Sequence, residues 1–305
     1  MLVVSSSNGD VGIDAAWGVL ASGGTALDAV EAGTRLVEDN PEDHTVGYGG
    51  LPNLTGGVEL DASIMDGSTR RAGAVGALAG YRHAVTVARA VMDHLPHVLV
   101  AGAGAAQLAA EIGLPAEDLL TPEAERVWRE GVEGRLPPES SAKRLLDRVH
   151  SLISDPERAA GTVDFLALDD HGHLASAVST SGWAWKYPGR LGDSPVIGAG
   201  NYCDDRYGAA ACTGWGELAI RAGTARSVVA ALAAGAQLDE ACALAMADVV
   251  SLPTNGPEPL MHLVAIDRHG HHVAMSTKAG TEYVYRADGM PAAARGPRVV
   301  VAGRG

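Results

Sequence analysis

The sequence predicts an α+β fold with helices layered on antiparallel sheets, and three observations carry that prediction. Residues 162–181, "TVDFLALDDHGHLASAVSTS", place two apolar runs around an Asp-Asp-His-Gly turn, which is a hairpin signal. Residues 262–280, "HLVAIDRHGHHVAMSTKAG", repeat the design. Between the two hairpins, residues 214–250 read as a pair of helices split at Gly235. Clustered strands and paired helices suggest helix layers packed on antiparallel sheets.

The elements follow in order. "LVVS" at the start reads as a short buried strand, and Val11 to Ala21 as a helix stopped by Gly23-Gly24. Thr25, with Asp28 three residues on, opens a second helix in a variant of the capping box. A Gly-rich loop leads to a strand near Val58 to Met65. Tyr81 to Leu95 is a third helix, ended by Pro96, and "HVLVAG" precedes an Ala-rich helix at 105–112. Residues 122–160 are charged, contain Pro137-Pro138 and read as helix, loop and helix running into a mobile connector over about 135–161. The whole of 1–305 is expected to form one domain.

Composition excludes several classes of function. With 37 acidic against 23 basic residues the formal charge is −14, which disfavours nucleic acid and anionic membranes as partners. No apolar stretch approaches the length of a membrane span. Cys203, Cys212 and Cys242 have no metal-ligand spacing and read as buried free thiols, and "MLVVSSSNGD" lacks the basic region of a signal peptide. The expected location is therefore the cytoplasm.

His171-Gly172-His173 and His269-Gly270-His271-His272 sit at hairpin turns with no ligand set to complete a shell, so no metal site is assigned. The glycine pairs at 102–104 and 198–200 lack a nucleotide-loop pattern. Three stretches remain open to two readings each. Thr162, behind Gly161, is either an ordinary loop-to-strand junction or a residue with chemistry of its own. Arg190 and Asp193, between Gly189 and Pro195, form either a solvated pair or a clamp for a free α-amino acid. Thr213-Gly214 is either a helix cap or a pair of donors aimed at a developing negative charge.

Taken together these stretches resemble the N-terminal nucleophile hydrolase family of glycosylasparaginases and plant-type asparaginases (isoaspartyl peptidases). The family pattern stands here as Gly161-Thr162-Val163, Ser179-Thr180-Ser181-Gly182, Gly189-Arg190-Leu191-Gly192-Asp193-Ser194-Pro195, Gly198-Ala199-Gly200 and Thr213-Gly214-x-Gly216-Glu217. "ASGGTALDAVEAG", "VGYGGLPN", "LDASIMDG", "GAVGAL" and "VARAVMDHLPHVLVAG" resemble the glycosylasparaginase branch in particular.

The resemblance implies a four-layer αββα sandwich and scission between Gly161 and Thr162, giving chains of 1–161 and 162–305 that assemble as a homodimer of two-chain units. Thr162 would then be the nucleophile, with its own α-amino group as base. Such an amine has a reference pKa of about 7.7–8.0, so part of it is unprotonated at neutral pH. Thr180 is implied as the threonine that tunes it. Thr213 and Gly214 are implied as the oxyanion donors, and Arg190, Asp193, Gly214 and Gly216 as the substrate-binding set. The implied substrate is an N4-substituted asparagine with free α-amino and α-carboxyl groups, and no cofactor is implied. The alternatives are an L-asparaginase or isoaspartyl dipeptidase, and an uncleaved protein that only binds amino acids.

Four positions depart from the family. "SSSNG" puts Ser7 and Gly9 where glycosylasparaginases carry an aromatic pair, so the pocket wall would fall to Ser7 with Trp183 or Trp215. Gly161 stands where that branch usually has Asp. Asp164 replaces the family's usual Gly two residues after the nucleophile, and nothing in the sequence explains it.

Overall fold

A computed structural model describes residues 1–135, 144–145, 161–254 and 260–301. Most of the predicted connector, 136–143 and 146–160, lies outside the described residues. The larger sheet has eight strands in the order β12-β11-β1-β5-β6-β2-β3-β4. They are β1 (Leu2–Ser6), β2 (Leu60–Asp66), β3 (Ala72–Leu78), β4 (Leu99–Ala101), β5 (Val163–Leu168), β6 (Leu174–Thr180), β11 (Glu282–Ala287) and β12 (Ala294–Pro297). The smaller sheet runs β13-β10-β9-β8-β7, from β7 (Asn201–Asp204), β8 (Gly208–Gly214), β9 (Met261–Asp267), β10 (His272–Ser276) and β13 (Val299–Val300). Eight α-helices are described: α1 (Ile13–Ala21), α2 (Ala26–Glu38), α3 (Ala84–His94), α4 (Ala103–Glu111), α5 (Pro122–Arg135), α6 (Gly216–Ala222), α7 (Thr224–Ala233) and α8 (Leu238–Ser251). No described helix is long and apolar enough to cross a membrane.

Alternation along the strands sorts the apolar residues into separate layers. Leu2, Val4, Leu166, Leu168, Leu174 and Val178 of the larger sheet meet Ala209, Ala211, Val264, Ile266 and Ala274 of the smaller one. The opposite face of the larger sheet, with Val3, Val163, Phe165 and Ala177, packs on residues of α1 to α4. Ala210, Cys212, Leu263 and Ala265 pack on α6 to α8.

Both predicted hairpins are present, as β5–β6 and β9–β10. Thr25 caps α2, its hydroxyl accepting from the Asp28 N–H at 3.1 Å. The helix expected from Val11 begins instead at Ile13. Ser7–Val11 is a 3-10 turn, and Gly12 lies so close to α2 that a Cβ there would fall 2.1 Å from the Gly33 carbonyl oxygen. The helix expected between 214 and Gly235 is two helices, because Gly223 adopts φ +59° and turns the chain. Thr213, one reading of which was a helix cap, lies within β8.

Candidate active site

The inter-sheet layer changes character at one end. Continuing the inward-facing positions, Leu2 and Val4 lead to Ser6, Leu168 and Leu166 to Asp164 and Thr162, and Val178 to Thr180. From the smaller sheet, Ala209 and Ala211 lead to Thr213, and Ile266 and Val264 to His262. Polar side chains replace apolar ones on both sheets at the same level. A cavity of about 740 Å³ opens there, and Gly161, Thr162, Thr213, Gly214 and Ser7 all line it. The two sheets therefore bring together three motifs widely separated in sequence.

Thr162 is buried, and its hydroxyl donates to the Gly161 carbonyl oxygen at 2.8 Å. Thr180 lies behind it. Its hydroxyl accepts from the Gly182 N–H at 2.9 Å and donates to the same Gly161 oxygen at 2.7 Å, with the Thr45 carbonyl a longer alternative at 3.2 Å. Gly161 itself is required by Thr45, since a Cβ at 161 would lie 2.2 Å from the Thr45 hydroxyl oxygen. Asp43 fixes that hydroxyl, accepting from it at 2.5 Å. Gly214 has φ +116°, and a Cβ there would meet the Leu260 carbonyl oxygen at 2.3 Å, so glycine alone fits between β8 and the segment entering β9.

Arg190, Asp193, Gly216, Trp183 and Trp215 form a neighbouring cluster and do not line the Thr162 cavity. Arg190 donates from Nε and Nη2 to Glu217 Oε1 at 2.9 and 2.7 Å, and its guanidinium lies 5.1 Å from the centre of the Trp183 ring. Asp193 is buried with Oδ2 unpartnered. Burial raises its carboxyl to about 7, against the pull of Arg190. Gly216 permits the close approach, because a Cβ there would lie 2.6 Å from Asp193 Oδ1. Trp183 and Trp215 are tilted against each other at 5.7 Å, and Trp183 packs with Leu51, Leu54 and Trp185.

Several charged residues were missed by sequence reasoning. Lys186 is almost wholly buried, donates to the Glu59 carbonyl at 3.0 Å and is held below the usual lysine range by burial. Asp61 is fully buried and accepts the N–H groups of Ala77 and Gly192 at 2.8 and 3.1 Å, fixing the loop that carries Asp193. Glu38, also buried, accepts from the Ser179 hydroxyl at 2.6 Å beside Thr180, and burial raises it to about 8. Lys186 lies between two of the quoted motifs and Asp61 within "LDASIMDG", but a charge gives no sign in sequence of being buried. Arg298 and His262 line the Thr162 cavity, and burial lowers His262 to about 3.

Elsewhere, Asp169, Asp170 and His171 bring ligand-type atoms within 4.8 Å of one another on the β5–β6 turn. Asp169 already accepts from the N–H groups of His171, His173 and Ala26, which accounts for its place there. The three cysteines are buried free thiols.

The sequence model of the asparaginase family matches residues 10–292. An N(4)-(β-N-acetylglucosaminyl)-L-asparaginase of Elizabethkingia miricola is 38% identical over 272 residues, covering 88% of this chain and 76% of that protein. An isoaspartyl peptidase/L-asparaginase of Rattus norvegicus is 39% identical over 263 residues, 86% of this chain and 74% of its own length. The isoaspartyl peptidase/L-asparaginase of Homo sapiens is 36% identical over 279 residues, covering 90% and 83% respectively.

Proposed function

We propose that this chain, which belongs to the asparaginase family, is a hydrolase of β-aspartyl amides that cuts itself before Thr162 and then uses that residue as its nucleophile. The observation that carries the reading is the convergence of Gly161, Thr162, Thr213 and Gly214 on one cavity where the two sheets end.

In the uncut chain the Thr162 hydroxyl is placed beside the carbonyl it would attack, and Thr180 donates to that carbonyl's oxygen. Attack of Oγ1 on the Gly161 carbon would transfer the acyl group from nitrogen to oxygen. Water would then cleave the ester and leave a free amine on Thr162. That amine would take the hydroxyl proton in each turnover. Thr213 and the Gly214 N–H would hold the oxyanion formed at the substrate's side-chain amide carbon. Arg190 would take the α-carboxylate, exchanging or sharing its contact with Glu217. Asp193, lodged against Gly216, would take the α-ammonium. The amine leaves, water hydrolyses the β-aspartyl ester and aspartate is released. The layered clusters support a four-layer αββα sandwich of the N-terminal nucleophile type. A homodimer of two-chain units in the cytoplasm, acting on a small asparagine derivative without a cofactor, completes the proposal.

Three leaving groups fit the family, and one observation bears on the choice. Among the described residues, the cavity lining contains Ser7 and no Trp, Tyr or Phe. That favours a small or polar leaving amine, as from asparagine or a β-aspartyl dipeptide, over a stacked sugar ring. Intact mass under denaturing conditions tests the scission: two fragments, the smaller beginning at Thr162, are expected, and a Thr162→Ala chain should stay whole. A persistently single wild-type chain would support a protein that only binds amino acids. Rates on asparagine, a β-aspartyl dipeptide and an N-glycosyl asparagine then rank the substrates.

A further inference from the structure

Two charged residues that the proposed chemistry does not use lie in the inter-sheet layer, one two residues along the strand from Thr162 and one on the wall of its cavity. Asp164 lies two residues along the same face of the chain and is 1% exposed. Its Oδ1 accepts the Ser6 N–H at 2.7 Å, its own N–H donates to Ser6 Oγ at 3.2 Å, and its carbonyl accepts from the Ser5 hydroxyl. Asp164 thereby ties the end of β1 to the start of β5. Its second oxygen, Oδ2, is buried without a hydrogen-bond partner.

The opposite charge that acts on it, without a direct hydrogen bond, comes from Arg298. Arg298 joins β12 to β13 and lies beyond residue 292, where the family match stops. It is buried, with Nε donating to the Glu282 carbonyl on β11 at 3.0 Å and Nη1 to the Leu263 carbonyl on β9 at 3.1 Å. Its guanidinium thus bridges the two sheets and lines the Thr162 cavity. Burial raises Asp164 to about 6 and lowers Arg298, and each group draws the other back toward its charged form.

We propose that Asp164 and Arg298 are a matched pair of positioning residues, holding the β1–β5 junction and setting a negative charge beside the amino group that scission would leave on Thr162. The inference rests on the N-terminal nucleophile reading. A lone carboxylate at this depth would be strongly penalised, so the aspartate is tenable because the C-terminal segment supplies the arginine. A negative charge near the Thr162 ammonium raises its pKa and makes the free amine a stronger base. The other titratable groups around the pair are Cys212 on β8, His262 on β9, Lys278 after β10 and Tyr283 on β11. The cavity shared by Thr162 and Arg298 is also lined by Asp10, Glu42, Asp43, Glu282 and Arg295, which are common to the wild type and every variant tested. Burial raises the Cys212 thiol and lowers His262, so neither titrates near neutral pH.

The test uses the full chain and four variants: Asp164→Asn, Arg298→Met, Arg298→Lys and the double change Asp164→Gly/Arg298→Met. Scission is followed by mass, folding by thermal melting, and kcat and KM on a β-aspartyl dipeptide across pH. Asp164→Asn should move the acid limb of kcat down by about one unit with KM little changed. Arg298→Met should lower kcat about tenfold, Arg298→Lys should restore much of it, and the double variant should lose less than the product of the single losses. The double variant carries glycine at 164 and no unpaired charge, so it remains informative if a single variant fails to fold. An unmoved acid limb, or independent multiplicative losses, in an enzyme that still cuts itself overturns the pair alone. A wild-type chain that neither cuts itself nor hydrolyses a β-aspartyl amide overturns the nucleophile reading and the pair with it.

Discussion

The Thr180 hydroxyl donates to the carbonyl oxygen of Gly161 at 2.7 Å, the same oxygen that the Thr162 hydroxyl reaches at 2.8 Å. One carbonyl is thus held by the hydroxyl proposed as nucleophile and by a donor that would stabilise charge building on its oxygen. Removing the donor should slow self-cleavage without displacing the nucleophile. Thr180→Val is expected to lower the scission rate by about 10²–10³-fold, the usual loss for one oxyanion donor. Fragment accumulation over time measures it, and a rate within a few fold of wild type would show that the contact has no part in cleavage.

Gly161 is hemmed in by Thr45, so the aspartate common before the nucleophile in glycosylasparaginases does not fit this backbone. We expect Gly161→Asp to impair scission and Gly161→Asp/Thr45→Gly to recover part of it. Steric conflict between neighbours makes such effects non-additive. Equal rates for the single and double variants would remove the steric explanation.

The role proposed for Asp193, holding the substrate's ammonium, predicts a pH dependence of binding. Its carboxyl is raised to about 7, chiefly by burial, so in the free enzyme it becomes protonated as pH falls through that value. A neutral acid grips an ammonium poorly, and KM should therefore rise below about pH 7 while kcat changes less. Asp193→Asn should weaken binding by about 2–5 kcal/mol and flatten that limb. Steady-state kinetics across pH decide it, and an unchanged KM limb in the variant would count against the assignment.

Glu38 makes a prediction about stability rather than turnover. Its folded pKa, about 8, lies above the ordinary glutamate value of 4.5 because the side chain is fully buried. The folded state therefore holds a proton that the unfolded state releases between those values. Stability from this group is complete below about pH 4.5 and is lost as pH rises through about 8. Glu38→Gln, which keeps an acceptor for Ser179 and cannot ionise, should raise the melting temperature at pH 8.5 relative to wild type and change it little at pH 5. A variant less stable at both pH values would contradict this.

What could be read from the sequence was local. The Thr162, Thr180 and Thr213-Gly214 motifs, the Thr25 cap and the two hairpins each declare themselves within a few residues. β3 did not, because "AGAVGAL" is small and weakly β-branched. β8 did not, because "GAAACTG" reads as well for the approach to a helix. Phe165 shows a subtler limit. Its ring fills the space left by Gly33, and a Cβ on Gly9 would lie 3.2 Å from it, so β5 supplies aromatic bulk where position 9 has none. Arg298 was out of reach for the same reason: its partners lie on β5, β9 and β11, and spacing along the chain does not encode such a meeting.

The strand order of the larger sheet carries one more consequence. β1, from before the proposed cut, lies between β5 and β11, from after it, and β6 lies against β2. Two products so interleaved would stay together in the native state, because parting them means unzipping three strand pairings. Once unfolded they would be separate molecules. Refolding, a solitary process for the uncut chain, would become a second-order encounter whose half-time lengthens on dilution. The cut would thus trade reversibility for activity, leaving a mature protein that persists by how slowly it opens rather than by how readily it can be rebuilt.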